Sequence, residues 1–126
     1  MKKDYNNATV LVVEDEEYNF NYLEELFKQR NIKYIHAKTG EEAVNLFNQN
    51  PNIDLILMDI RLPIMNGYDA TKEIRKINKK MPIIAQTAYA LTGDREKALK
   101  DGCNDYIPKP IVEQQLMILL AKYLKI

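Results

Sequence analysis

The chemistry-bearing residues of this 126-residue chain recur at one kind of place, where a short apolar run stops. Glu14 and Asp15 follow the run 8–13, Asp59 follows 53–58 and Thr87 follows 82–86, while Lys109 comes two residues after the short strand-like stretch 104–107. Three carboxylates packed together repel one another, which is tolerable only beside a cation, and hard oxygen ligands with room for water suit Mg²⁺. A carboxylate beside such an ion can attack phosphorus and form an acyl phosphate. The metal, the Thr87 hydroxyl and the Lys109 ammonium would then stabilise the equatorial oxygens of the transferred group. Taken singly, each acid reads as an ordinary solvated side chain. Their shared position at the ends of different strands gives the set its meaning.

The elements that must position these residues alternate along the chain. The β-branched run 8–13 reads as a strand buried on both faces. Phe20, Leu23 and Phe27, with Leu26 beside them, space out a helix over 17–30 that Asn31 interrupts. Residues 33–37 read as a second strand, and Thr39 with Glu42 as a capping box opening a helix with Ala43, Leu46 and Phe47 on one face. A third strand over 53–58 leads into a loop marked by Pro63, Asn66 and Gly67, then a helix carrying Ala70, Ile74 and Ile77. A fourth strand covers 82–86. The helix expected from about 91 to 101 has few apolar residues besides Leu91, Ala98 and Leu99, which predicts a weak hold on the core, and Gly102 stands at its C-terminal cap. A short fifth strand over 104–107 precedes a last helix with Leu116, Leu119, Leu120 and Tyr123 on one stripe. Five strands alternating with five helices predict a parallel sheet covered on both faces. In such a sheet, ligands sit beyond the carboxyl ends of the strands, where the strand order reverses.

Composition agrees with one globular domain over 1–126, preceded by a short polar extension over 1–7. Lysine plus arginine (18) equal aspartate plus glutamate (18), so no positive excess draws in a phosphate backbone, and no nucleic-acid contact is expected. Cys103 is the only cysteine and His36 the only histidine, which excludes an internal disulfide and a zinc cage and suits a reducing cytoplasm. The longest apolar run, 116–121, is far shorter than the roughly 18 residues a membrane span needs, so no membrane insertion is expected. A flavin carrier of this topology is disfavoured because Glu14, Asp15, Glu16 and Glu17 would repel its phosphate. An aspartyl phosphatase is disfavoured because its nucleophile follows the first strand with a second acid two residues on, whereas Asp59 is followed by Ile60 and Arg61.

The motifs, in order, resemble the receiver domain of bacterial two-component response regulators over essentially the whole chain. They are the run 11–15, the stretch 58–67 (MDIRLPIMNG), Thr87 with Ala88, and 105–110 (DYIPKP). The resemblance implies a three-layer, flavodoxin-like (βα)5 fold, doubly wound, with strand order 2-1-3-4-5. It implies Mg²⁺-dependent transfer of a phosphoryl group from a phosphohistidine to Asp59, in a signalling domain rather than an ordinary enzyme. It makes Glu14 and Asp15 the metal-binding pair, aided by Asp59 and the backbone carbonyl of Arg61. Thr87 becomes the switch hydroxyl, Lys109 the phosphate-binding lysine, Tyr106 the aromatic that turns inward with Thr87, and Lys109–Pro110 a cis bond. Glu14 departs from the commoner aspartate, and Gln86 stands where an apolar residue is usual, pointing away from Thr87 by strand alternation.

Asn19 and the stretches 86–90 and 105–111 are most similar to receivers of hybrid sensor histidine kinases. These relay the phosphoryl group to or from a histidine kinase or histidine phosphotransfer domain docked on the first helix. Tyr18, Phe20 and Tyr22 would contribute to that face or belong to the core. Met117, Ile118 and Leu124 lie off the last helix's stripe and mark a face for a second copy or an adjacent output domain. By the resemblance, Arg61 and Tyr89 stand at positions that flank the path of hydrolytic water, which predicts slow self-dephosphorylation. The alternative is a receiver-like interaction module that signals without phosphate.

Overall fold

The computed structural model describes residues 8–88 and 93–124. The expected extension 1–7, Tyr89 and the first residues expected in the fourth helix lie outside them. The elements run β1 (Thr9–Val13), α1 (Glu17–Gln29), β2 (Lys33–Ala37), α2 (Gly40–Gln49), β3 (Leu55–Asp59), α3 (Gly67–Ile77), β4 (Ile83–Thr87), α4 (Asp94–Lys100), β5 (Asp105–Pro108) and α5 (Glu113–Leu124). All strand pairs are parallel, in the order β2-β1-β3-β4-β5. The sheet reverses direction of growth between β1 and β3.

Strand alternation divides the core into two layers. Leu11, Val13, Ile56, Met58, Ile83 and Ala85 face α2, α3 and α4, whereas Val10, Val12, Leu55, Leu57 and Ile84 face α1 and α5. β1 and β3 are apolar on both faces because helices cover both, as the unbroken apolar runs require.

β3, β4 and β5 each extend one residue past the stretch that predicts them. The parallel ladder continues past these stretches: Ile60 N–H donates to the Gln86 carbonyl (3.1 Å) and Lys109 N–H to the Thr87 carbonyl (2.8 Å). Asp59 and Thr87 are therefore held at strand ends, not in mobile loops.

Helix boundaries follow local chemistry. Thr39 Oγ1 accepts the Glu42 N–H at 3.0 Å, and Asn66 Oδ1 accepts the Asp69 N–H at 3.0 Å, starting α2 and α3. Asn31, at φ 58°, turns the chain after α1. Gly67 is required by proximity, since a Cβ there would run into the Asp59 carbonyl oxygen. α4 buries only Ala98 among its apolar residues and exposes Leu99, so its hold on the core is as thin as its sequence predicts.

One open sequence reading is decided and another changes. Phe20 belongs to the core, its ring stacked on His36 with centroids 3.6 Å apart, because α1 turns it inward while Tyr18 and Tyr22 stay exposed. On α5, Met117 is buried beside Leu116 and Leu120, and Leu124 packs against the same layer. Of the three candidate outward residues, Ile118 alone is exposed. No described helix is long and apolar enough to cross a membrane.

Candidate functional site

The parallel register brings the strand ends to one rim: Val13 lies beside Ala37 and Met58, Asp59 beside Gln86, and Thr87 beside Pro108. Glu14, Asp15 and Asp59 meet there, each offering a carboxylate oxygen within 4.8 Å of the others. Glu14 and Asp59 are buried and Asp15 is exposed, so the cluster opens to solvent on one side.

Lys109 closes the other side. Its Nζ donates to Asp59 Oδ2 at 2.9 Å and lies 3.2 Å from Glu14 Oε1 as an ion pair. Asp59 Oδ1 accepts the Arg61 backbone N–H at 3.0 Å. The β5–α5 loop delivers Lys109 through the ladder bond to Thr87 and a cis Lys109–Pro110 peptide, as the resemblance implies.

One ammonium does not neutralise this rim. Burial, then the negative charge of Asp59 and the hydrogen bond shared with it, push the Glu14 carboxyl from 4.5 up to about 7 against the opposing pull of Lys109. Glu14 Oε2 accepts the Glu16 N–H at 3.2 Å, while Oε1 has no hydrogen bond of good geometry. Burial alone would lower the Lys109 pKa, yet the hydrogen bond and charge of Asp59, followed by Glu14, hold it above the ordinary lysine value. Three clustered carboxylate oxygens, one without a hydrogen bond, fit a hard divalent cation that keeps several waters.

Thr87 lies at the same rim with its hydroxyl turned toward α4, where Oγ1 donates to Asp94 Oδ2 at 2.7 Å. The Tyr68 hydroxyl donates to Asp94 Oδ1 at 2.9 Å, and the Arg61 guanidinium to Asp94 Oδ2 at 3.1 Å. Burial would raise the Asp94 pKa, but the Thr87 and Tyr68 hydroxyls and Arg61 hold it below the usual carboxylate value. Sequence reasoning missed Asp94 and Tyr68. An aspartate opening a helix reads as a favourable dipole partner, and nothing in its spacing marks it as the acceptor for a hydroxyl seven residues earlier.

Tyr106 stands on the edge strand β5, half-buried, with the Arg95 guanidinium carbon 5.3 Å from its ring centroid. Gln86 lies on the opposite face of β4 from Thr87. It lines a cleft of about 280 Å³ with Tyr18, Asn19, Tyr22, Lys109 and Ile111, and neither amide atom of Gln86 has a hydrogen-bond partner among the described residues. His36 is structural, its Nε2 2.8 Å from the Glu14 carbonyl oxygen. Cys103 is buried with its thiol pKa raised by burial, an inert environment.

Comparison with known proteins adds independent support. The response regulator receiver domain family matches residues 10–121. Among curated relatives, hybrid signal transduction histidine kinase I of Dictyostelium discoideum is 41% identical over 110 residues, 81% of this chain. The match spans only 6% of that kinase's length. The polar-differentiation response regulator DivK of Brucella ovis is 36% identical over 118 residues, covering 92% of this chain and 95% of DivK.

Among solved structures, the Saccharomyces cerevisiae complex of the histidine phosphotransfer signaling protein Ypd1 with the receiver domain of its downstream response regulator Ssk1 matches with TM-score 0.89 and 34% identity. The match covers 96% of this chain and 91% of the matched one. The receiver domain of sensor histidine kinase PA1611 from Pseudomonas aeruginosa PAO1, with a magnesium ion coordinated in its active-site cleft, matches with TM-score 0.88 and 37% identity. Here the coverage is 94% and 98%.

Proposed function

The chain belongs to the response regulator receiver domain family of two-component systems, and from that premise we propose that Asp59 is the phosphoacceptor of a phosphorelay. The observation that carries this reading is the clamp on Asp59, whose two oxygens are bonded separately by the Lys109 ammonium (2.9 Å) and the Arg61 backbone N–H (3.0 Å). The carboxylate is thus oriented at a solvent-facing rim.

The donor is a phosphohistidine on a histidine kinase or histidine phosphotransfer domain, the kind of protein bound to the Ssk1 receiver. An Asp59 oxygen forms the new bond to phosphorus as the bond from imidazole nitrogen to phosphorus breaks. The departing imidazole keeps that electron pair and takes up a proton. Glu14, Asp15 and Asp59, with the Arg61 backbone carbonyl, would hold Mg²⁺, as the PA1611 receiver does a magnesium ion in its cleft. When bound, the ion supplies positive charge against the oxygens of the transferring group. Lys109 supplies the second positive charge, and Thr87 is the hydroxyl that turns to the phosphoryl group once it is in place. Tyr106, between Arg95 and the core, follows that movement toward the interior.

Exposed Tyr18 and Tyr22 on α1, beside Lys109, are the apolar part of the face offered to the donor. The kinase relative supports placement in a hybrid-kinase relay, and Cys103 as a free buried thiol suits the reducing cytoplasm.

Intact-mass spectrometry after incubation with acetyl phosphate tests the reading. Wild type with Mg²⁺ is expected to gain one phosphoryl mass, with no gain after chelation or in Asp59→Asn. An adduct persisting in Asp59→Asn would move the acceptor elsewhere. No adduct in any sample, repeated with a phosphorylated histidine phosphotransfer domain as donor, would favour a module that signals without phosphate.

A further inference from the structure

The Asp94 carboxylate joins segments far apart in sequence. It accepts from Thr87 at the end of β4, from Tyr68 in α3 and from Arg61 in the β3–α3 loop, while itself opening α4 after Gly93, at φ 88°. These partners matter because two of them, Thr87 and Arg61, flank Asp59. A hydroxyl has a single hydrogen, so Thr87 cannot donate to Asp94 Oδ2 and to a phosphoryl oxygen on Asp59 at once. The Arg61 guanidinium faces the same choice electrostatically, between Asp94 and a dianion two residues away.

We propose that Asp94 is a positioning residue that clasps Thr87 and Arg61 in the unphosphorylated arrangement and must release them for the phosphorylated one. The proposal rests on the phosphoacceptor reading above and deepens it. The Thr87 movement is opposed by a definite charge-assisted hydrogen bond, and the element that carries its acceptor is the one least anchored in the core. α4 buries Ala98 as its only apolar residue alongside Asp94 itself. When Thr87 and Arg61 leave, Tyr68 is the remaining side-chain donor to Asp94 among the described residues. The start of α4 then loses its side-chain hydrogen bond to the end of β4. The clasp therefore couples charge at Asp59 to the position of α4 through specific bonds, and it sets the fraction of molecules competent to accept the phosphoryl group.

The test is binding of beryllofluoride, a phosphoryl mimic, in the presence of Mg²⁺, followed by NMR titration. Wild type, Asp94→Ala, Asp94→Asn and the Thr87→Val/Arg61→Ala pair with and without Asp94→Ala are compared, with thermal melts on each. Loss of one charge-assisted bond from the resting state alone is expected to tighten beryllofluoride binding about tenfold in Asp94→Ala. In Asp94→Asn, which keeps one acceptor oxygen for Tyr68 but no charge, the expected gain is smaller. The gain is expected to vanish in the Thr87→Val/Arg61→Ala background, an outcome that mere loosening of α4 would not produce.

Tightening in neither Asp94 variant, with wild type binding normally, would overturn the clasp and leave the phosphoacceptor reading standing. A gain that persists without Thr87 and Arg61 would also overturn it. Failure of wild type to bind beryllofluoride or to take a phosphoryl group would overturn both.

Discussion

At the end of β4, two neighbouring residues face opposite sides of the sheet and meet opposite circumstances. Toward α4, the Thr87 hydroxyl donates to Asp94, which also accepts from Tyr68 and Arg61, so donors and acceptors match. Toward α1, the Gln86 amide is fully buried with no hydrogen-bond partner among the described residues, beside a rim where Glu14 Oε1 has its ion pair with Lys109 but no hydrogen bond of good geometry. Buried polar atoms are nearly always paired, and an unpaired one costs about 1–3 kcal/mol. The α4 side is thus a bonded network, and on the proposal above it is what a change of state would have to break. The rim and the cleft behind it hold groups whose bonding capacity the chain leaves unused.

The sharpest way to stress that contrast is pH. In metal-free protein, the folded state keeps a proton on Glu14 up to about pH 7, whereas the unfolded chain loses it near 4.5. Between those values the folded state binds more protons, so the Glu14 contribution to stability falls as pH rises through that window. The full difference is on the order of 3 kcal/mol. Denaturant unfolding in chelator at pH 5 and pH 8 should show the decline. Glu14→Gln should remove it, and Mg²⁺ should flatten it by replacing the proton with a cation. A pH-independent difference between wild type and Glu14→Gln would mean that the rim is already neutralised from within.

Next in size is the matched side. Asp94→Ala strands the buried Tyr68 hydroxyl and one bond of Thr87, and is expected to cost about 2 kcal/mol in urea unfolding. A loss below a few tenths would show the network to be slack. Smallest is Gln86→Met, which replaces an unpartnered amide by an apolar side chain of similar length. It is expected to stabilise by about 1 kcal/mol, read as a raised melting temperature. Destabilisation would show that the amide is satisfied in solution and that the two sides of β4 are alike.

Much of this was legible in the sequence, for identifiable reasons. Continuous apolar runs flanked by acids appear only where strands are covered on both faces. Parallel strands also place their carboxyl ends on one rim, so Glu14, Asp15, Asp59, Thr87 and Lys109 could be grouped without coordinates. Thr39 was readable as a helix start because capping is a local bond over three residues, whereas Asn66, read only as a loop residue, proves to cap α3 in the same way. Met117 was misplaced because it sits near the edge of its helix's apolar stripe, where a small rotation separates buried from exposed.

The sequence by itself determined the order of elements, the doubly covered sheet and the set of side chains at its rim, since periodicity and strand polarity follow from backbone geometry alone. Only the tertiary structure decided which way those side chains bond. That the Thr87 hydroxyl turns to Asp94, that Lys109 bridges Asp59 and Glu14, that burial and Asp59 push the Glu14 carboxyl above the ordinary carboxylate range, and that Gln86 lies buried without a partner among the described residues all depend on angstrom-scale distances between distant segments. Hydrogen bonds are directional, and charges respond to burial and to neighbours within a few ångströms. Neither property is written in the spacing of residues along the chain.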